Sequence, residues 1–325
     1  MNPLLNWGIN LIAAVQAIAP SLRGSMEFFS FLGTEEFYIL FLPLLYWCVD
    51  PRLALRVGII LCASTSINTF FKLAFHAPRP YWVSTRVQAM SSEASYGIPS
   101  GHAQNAMAIW GSIGATGGRW LRLAMVILVF LISFSRIVLA VHFPTDVLLG
   151  WILGWLLLGA ALCWEAPVLA WFKRRSFGAR IGWILAASLA LVAIPSAGLT
   201  FLPTSDPPEW ATTAALAYPP APGQSAIHPR DISGMVGVAG FFFGLVSGAT
   251  LLFHQTSFDA RSEWWRRLLR YALGVVGVAI IWMGLKRVLP HDASLASQVL
   301  RYSRYALAGI WMGYAAPWLF IRLRL

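Results

Sequence analysis

Apolar residues in this chain run in long blocks, and short polar gaps between the blocks hold most of the charge. A helix needs about 20 mostly apolar residues to cross a bilayer. Blocks at roughly 37–49 (extended backwards by 28–32), 53–75, 102–117, 120–140 and 146–172 fit that requirement. So do those at roughly 181–202, 233–253, 268–285 and 305–321. The pattern predicts about nine spans and an all-α fold, a polytopic membrane helix bundle. Residues 1–20 are apolar too, but the first charge is Arg23, so the basic start of a signal peptide is missing. An interfacial or re-entrant helix is expected there.

Composition supports lipid as the main solvent. Of the 325 residues 58% are hydrophobic and 11% charged, and the mean hydropathy is +0.66. A soluble domain carries about 45–50% apolar and about 25% charged residues. The net charge of +11 does not point to nucleic acid, because the basic residues fall in small groups between blocks rather than on one face. Arg52 and Arg56, Arg119 and Arg122, Lys173 to Arg175 with Arg180, Arg261 to Arg270, and Arg322 with Arg324 lie in alternate gaps. The positive-inside rule turns those gaps to the cytoplasm. Cys48, Cys62 and Cys163 show no metal-ligand spacing and are expected as small buried residues.

The chain divides near Phe177. Residues 1–177 hold nearly all the unusual polar residues at block ends, whereas 178–325 form a C-terminal set of helices with a Pro-rich loop at 203–232. There is no evident internal repeat. Trp264-Trp265 before Arg266-Arg267 has the composition of an interfacial anchor.

Three clusters carry candidate chemistry. One runs from Lys72 to Arg79-Pro80 at the exit of the second span. Another is Pro99-Ser100-Gly101-His102 at the entry of the third. The last comprises Ser135-Arg136, His142 and Asp146, between the fourth span and the fifth. Alternate crossing brings all three to one boundary, and the charge pattern makes it extracytoplasmic. Lys72, Arg79 and Arg136 are cations able to hold a phosphate, the arginines as forks. Ser100 and Gly101 open a helix, where N–H groups without helical partners favour an anion. His142 and Asp146 suit a nucleophile and the carboxylate that orients it. His102 suits a general acid for the leaving oxygen.

The clusters read K-x6-R-P, P-S-G-H and S-R-x5-H-x3-D, and in this the chain resembles the type 2 phosphatidic acid phosphatase (PAP2) superfamily. The resemblance covers 68–146 directly and the core to about residue 172 by implication. It implies a six-helix catalytic core with His142 as nucleophile, Asp146 orienting it and His102 as acid. Lys72, Arg79, Ser100, Gly101 and Arg136, with the rest of the motifs, would bind phosphate. Further upstream, Gly33 to Tyr38, Tyr46-Trp47 and Asp50-Pro51 resemble the first span of the sphingosine-1-phosphate phosphatase branch.

The expected function is metal-independent hydrolysis of a lipid phosphate or polyprenyl diphosphate through a phosphohistidine, with no cofactor. Its partners would be the lipid substrate and membrane lipids, and its location a bacterial inner membrane with the site facing outward. A lipid phosphotransferase, or a transporter or scaffold that kept the fold, are the alternatives. Sequence leaves open which lipid is cleaved and the oligomeric state. Outside the motifs, His76, His228, His254 and His291 read as interfacial residues, with His76 a candidate for substrate contact. Arg86 reads as a solvated cation, and Glu35 and Glu36 as either helix caps or pocket residues. Glu165 is expected to pair with Lys173 or Arg174.

Overall fold

The computed structural model describes residues 2–18, 20–222, 224–288 and 294–325, and His291 lies outside them. Among the described residues the regular structure is helical throughout. The helices are α1 Pro3–Ile18, α2 Arg23–Phe31, α3 Glu35–Cys48, α4 Pro51–Phe75, α5 Pro80–Val83, α6 Gly101–Gly114, α7 Arg119–Val138 and α8 Pro144–Lys173. They continue with α9 Phe177–Gly198, α10 Pro208–Ala217, α11 Ser233–Gln255, α12 Trp264–Ala279, α13 Leu285–Val288, α14 Leu295–Ile310 and α15 Ala316–Arg322. With no water in the hydrocarbon, helices satisfy their own backbone, so this is the expected form for so apolar a chain.

Fewer helices qualify as spans than the nine expected. Six of the described helices are long and apolar enough to cross a membrane, or up to seven if α1 and α2, bent by 119°, are one broken span. The expected spans at 37–49, 102–117 and 305–321 are the three that do not qualify, and two of them, α3 and α6, are short. Each has 14 residues, and at about 1.5 Å per residue neither crosses a core about 30 Å thick. The block expected to continue from 28 into 49 is broken at 32–34, where the Thr34 hydroxyl accepts from Phe37 N at 3.3 Å and starts α3 afresh.

The chain forms two compact units whose boundaries fall inside α3, α4, α8 and α9 and just before α11. The first comprises Met1–Phe37, Ser64–Ala160 and Ile194–Asp231. In it α6 packs on α7, α2 on α7, and α10 on α5. Helices α6 and α8 meet with their backbones close together. A Cβ on Gly150 would stand 2.7 Å from Ser100 O and 3.0 Å from the Ala103 Cβ, so only glycine permits the approach. The Trp151 indole donates to the Ser133 hydroxyl at 2.7 Å and ties α8 to α7. Ile9 and Ile12 of α1 cluster with Val87, Ala140 and Phe143, and the Gln16 amide donates to Val138 O and Gln88 O, both at 2.9 Å. The N-terminal helix is thereby fixed on the turn that carries His142.

The second unit comprises Tyr38–Ala63, Ala161–Ala193 and Ile232–Leu325. Its axis is the pair α11 and α14, where Gly240 and Gly244 press against the backbone of Tyr302 and Ala306, the close packing that small residues allow at i, i+4. Trp47 is fully buried and its indole donates to Met312 O at 3.0 Å. Two expectations are corrected here. Glu165 pairs with Arg56 of α4 at 2.6 Å rather than with Lys173 or Arg174, since a neighbouring helix offers a guanidinium at the same depth. Cys163 is exposed, unlike Cys48 and Cys62; it lies on an outer face of α8 beside exposed Leu162 and Trp164, where lipid rather than protein takes up apolar side chains.

Candidate active site

All three clusters converge within the first unit. Arg79 follows α4 and is fully buried. Its Nε donates to Ser95 O at 2.6 Å, and its Nη2 donates to Ser95 Oγ and Tyr96 O, both at 3.1 Å. Nη1 donates to Val141 O at 2.8 Å and stands 3.2 Å from His142 Nε2. Lys72 sits in the last turn of α4 and its Nζ donates to the same Ser95 hydroxyl at 2.8 Å. Arg136, in the last turn of α7 and 1% exposed, donates to the Ser30 hydroxyl and to Glu93.

His142 lies in the tight turn between α7 and α8. Its Nδ1 stands 3.2 Å from Asp146 Oδ2, which also accepts from Phe143 N at 2.9 Å. The spacing of four residues, turn into first helical turn, puts the carboxylate under the ring. Burial comes first among the influences on His142. Together with the charges of Arg79, Lys72, Arg136 and His102, it holds the imidazole well below the ordinary pKa of 6.5, so the neutral ring is favoured. Nδ1–H donates to Asp146 and the Nε2 lone pair is left facing Arg79.

Ser100 is the N-cap of α6, its side chain accepting from Ala103 N. Its own N–H is not open to an anion, contrary to expectation, because it donates to Asp146 O at 2.9 Å. The N–H groups of Gly101 and His102 in the first turn are those that this helix start leaves for an anion. Ser135 also turns away, its hydroxyl donating to Ile132 O at 2.6 Å. His102 Nε2 is buried without a hydrogen-bond partner, and the charges of Arg136, Glu93, Lys72 and Arg79 act on it.

Sequence reasoning missed several contributors. Glu93 is the chief one, because its carboxylate pairs with Arg136 and, at 3.8 Å, with Arg79. Burial would raise its pKa, but the two guanidinium groups outweigh this and hold it far below the usual carboxylate range. Gly33 is another: a Cβ there would collide with the His102 ring. A third is a buried chain of polar groups. Asn68 donates to Pro99 O at 3.3 Å and to Gln104 Oε1 at 2.9 Å, while Gln104 donates to Ser64 O at 3.0 Å. Such groups inside a span are costly unless all are bonded, and here they fix the P-S-G-H segment. No motif marks Glu93, which lies in a gap between blocks, or the chain of amides; for Asn68 and Gln104 the signal is a lone polar residue within an apolar block.

Among the other candidates, Arg86 is exposed and donates to Asn6 Oδ1 at 2.8 Å. Glu35 and Glu36 are exposed in the first turn of α3, where negative charge favours a helix start. His76 has a φ of 36° and its Nδ1 lies 3.3 Å from Ala74 O.

Residues 53–170 match the PAP2 superfamily, and residues 236–325 match the PAP2 superfamily phosphatase transmembrane extension. The chain belongs to the PAP2 superfamily. It is an integral membrane protein, with its PAP2 motifs in the first match and apolar helices in both. It is 35% identical over 131 residues to sphingosine-1-phosphate phosphatase 2 of Homo sapiens, which is 38% of this chain and 33% of that one. It is 30% identical over 139 residues to undecaprenyl-diphosphatase of Sulfolobus acidocaldarius, 41% of this chain and 66% of that one. The chain thus spans about a third to two thirds of the length of these PAP2 relatives. A PAP2-type phosphatidylglycerolphosphate phosphatase from Bacillus subtilis is similar to it in structure, with a TM-score of 0.44 and 22% identity over 52% of this chain and 89% of that one.

Proposed function

We propose that this chain is a phosphatase for lipid phosphates or polyprenyl diphosphates that works without a metal ion, through a phosphohistidine. One observation carries the reading. His142 stands between Asp146 at Nδ1 and Arg79 at Nε2, each 3.2 Å away, an oriented imidazole whose Nε2 lone pair faces a phosphate-binding cation. The PAP2 relatives named for lipid phosphate and diphosphate hydrolysis support the substrate class.

In the proposed reaction Arg79, Arg136, Lys72 and the first-turn N–H groups of α6 hold the non-bridging oxygens. They neutralise the charge that a metal ion would otherwise meet. His142 Nε2 attacks phosphorus, the bond to the lipid oxygen breaks, and that oxygen takes a proton from His102. Water then attacks the phosphohistidine and gives a proton to His102. The P–N bond breaks, its electron pair returns to Nε2, and inorganic phosphate leaves. Asp146 keeps the proton on Nδ1 throughout, as the carboxylate of a catalytic triad does.

The catalytic core is assigned to residues 1–177 and the accessory helices to 178–325. The site is assigned to the extracytoplasmic side of a bacterial inner membrane, because the motif clusters occupy the ends of spans opposite the Arg-rich gaps.

The decisive experiment uses purified full chain and a lipid phosphate carrying labelled phosphorus. Rapid alkaline quenching should recover base-stable, acid-labile label on the protein, absent from His142→Ala. Phosphate release without any such label would overturn the mechanism. For the membrane face, a cysteine-free chain carrying Thr85→Cys should react with an impermeant thiol reagent on intact cells, and one carrying Arg174→Cys should not. The reverse pattern would put the site in the cytoplasm.

A further inference from the structure

The Pro-rich segment 203–232 lies outside both stretches matched to the PAP2 family, yet it is bonded to the residues that seat the phosphate-binding cations. Residues 93–96 alternate between the two. Glu93 and Ser95 turn toward the site, Glu93 pairing with Arg136 and Arg79 and the Ser95 hydroxyl accepting from Lys72 and Arg79. The intervening residues turn toward the segment. Ala94 O accepts from His228 N at 3.0 Å, and the fully buried Tyr96 donates its hydroxyl to Asp206 Oδ1 at 2.6 Å.

Asp206 is itself held. Its Oδ2 accepts from Arg230 Nε at 2.9 Å, and Arg230 Nη1 donates to Pro203 O at 3.0 Å, so the two ends of the segment close on each other. Helix α10 adds an aromatic contact. Trp210 lies 6.1 Å, centroid to centroid, from the buried Trp82, which sits in α5 immediately beyond Arg79-Pro80. Tyr96 joins the two systems, since its hydroxyl bonds Asp206 while its carbonyl accepts from Arg79 Nη2. A loose cover would meet the site loop through apolar contact. Here a carboxylate, already oriented by an arginine, accepts from a tyrosine hydroxyl, and hydrogen bonds to charged groups are the strong and directional ones.

We propose that segment 203–232 is a clamp on residues 93–96, in which Asp206, acting through Tyr96, positions Arg79 and Lys72 to receive a phosphate group. The clamp rests on the proposed phosphatase reading only for the identity of that anion. Asp206 and Tyr96 are positioning residues: they touch neither the phosphate nor the histidines. Losing the Tyr96–Asp206 bond frees residues 94–96 to shift, and Ser95 O, Ser95 Oγ and Tyr96 O, three of the acceptors that aim Arg79, move with them.

The test uses the full chain in detergent–lipid micelles, with inorganic phosphate as the probe. Tyr96→Phe and Asp206→Ala should each weaken phosphate, as an inhibitor and by isothermal titration, about tenfold. KM for a long-chain lipid phosphate and for a short soluble phosphate ester should rise by a similar factor. The double variant should be no worse than either single one, because both remove the same bond. Merely lost folding would lower kcat through the fraction of active protein and leave the phosphate affinity unchanged, so unchanged affinity in both variants overturns the clamp. A loss confined to the long-chain lipid, with the soluble ester and phosphate unaffected, also overturns it and makes the segment a gate for lipid entry. If the parent chain hydrolyses neither ester, the phosphatase reading falls separately, and the phosphate titrations still decide the clamp.

Discussion

Arg79 Nη1 stands 3.2 Å from His142 Nε2, so a cation of the anion site donates to the nitrogen that would attack phosphorus. The contact engages the lone pair of Nε2. An arriving phosphate offers the guanidinium a stronger, charged acceptor and draws that N–H off the imidazole. Binding and release of the nucleophile are then one event.

The histidines and the aspartate should separate in kinetics. His142→Ala and His102→Ala are expected to lower turnover by on the order of 10⁴-fold or more, as removal of groups acting in the chemical step does. Asp146→Asn should cost less than loss of the nucleophile, since it misorients His142 without deleting it. Phosphate release, with unfolding temperature as the control, measures all three. Substantial turnover by the His142 variant would contradict its assigned role.

Glu93 is an anion already seated between Arg136 and Arg79, so it competes with phosphate. Glu93→Gln should tighten inhibition by inorganic phosphate and vanadate several-fold. It should also lower stability by about 1–3 kcal/mol, because two buried guanidinium groups lose a charged acceptor. Inhibition constants and denaturant unfolding report the two effects. Weaker phosphate binding in Glu93→Gln would show that the carboxylate holds the arginines in place rather than filling their site.

Gly33 lies against the His102 ring with no room for a side chain. Gly33→Ala should displace that ring and lower kcat about 10²-fold, the size of effect that misplacement by about 1 Å can produce. The affinity for inorganic phosphate should change little, since the cations are untouched. A parallel loss of phosphate affinity would mean that the change disturbs the whole loop.

The pH dependence follows from His142. Its pKa is depressed below 6.5 by burial and by the neighbouring cations, so the neutral, nucleophilic ring persists at pH values where a free histidine is protonated. The acid limb of kcat/KM for a soluble ester should therefore fall below the ordinary histidine range rather than within it. The same shift has a sign for stability. Below pH 6.5 the unfolded chain takes up a proton on this residue before the folded chain does, so its contribution to stability declines as pH falls. A rate profile and an unfolding series across acid pH would check both.

Much of the site could be read from spacing, and the reason lies in how spans constrain the chain. Lys72 and Arg79 flank the exit of α4, Ser100 to His102 open α6, and Arg136 and His142 close α7, which packs back along α6 and so returns the chain to where α6 opened. Asp146 four residues after His142 needs only the first turn of a helix to meet the ring. The number of spans was less legible. A run of apolar residues cannot distinguish a helix facing lipid from one enclosed by protein, and α3 and α6, at 14 residues each, are apolar without reaching across a bilayer.

By itself, then, the sequence determined the solvent, the helical class and the motif residues, because composition and local spacing depend on neither packing nor partner choice. Only the tertiary structure decided that the Ser100 N–H is already bonded to Asp146 O and that Arg56, rather than a nearby lysine, meets Glu165. It alone brought Glu93 between two arginines and Asp206 to Tyr96, 110 residues away. Each of these pairs joins residues far apart in the chain or on different helices. A buried charge takes whichever partner the packing of helices presents at its own depth, and that arrangement is written in no single stretch of the chain.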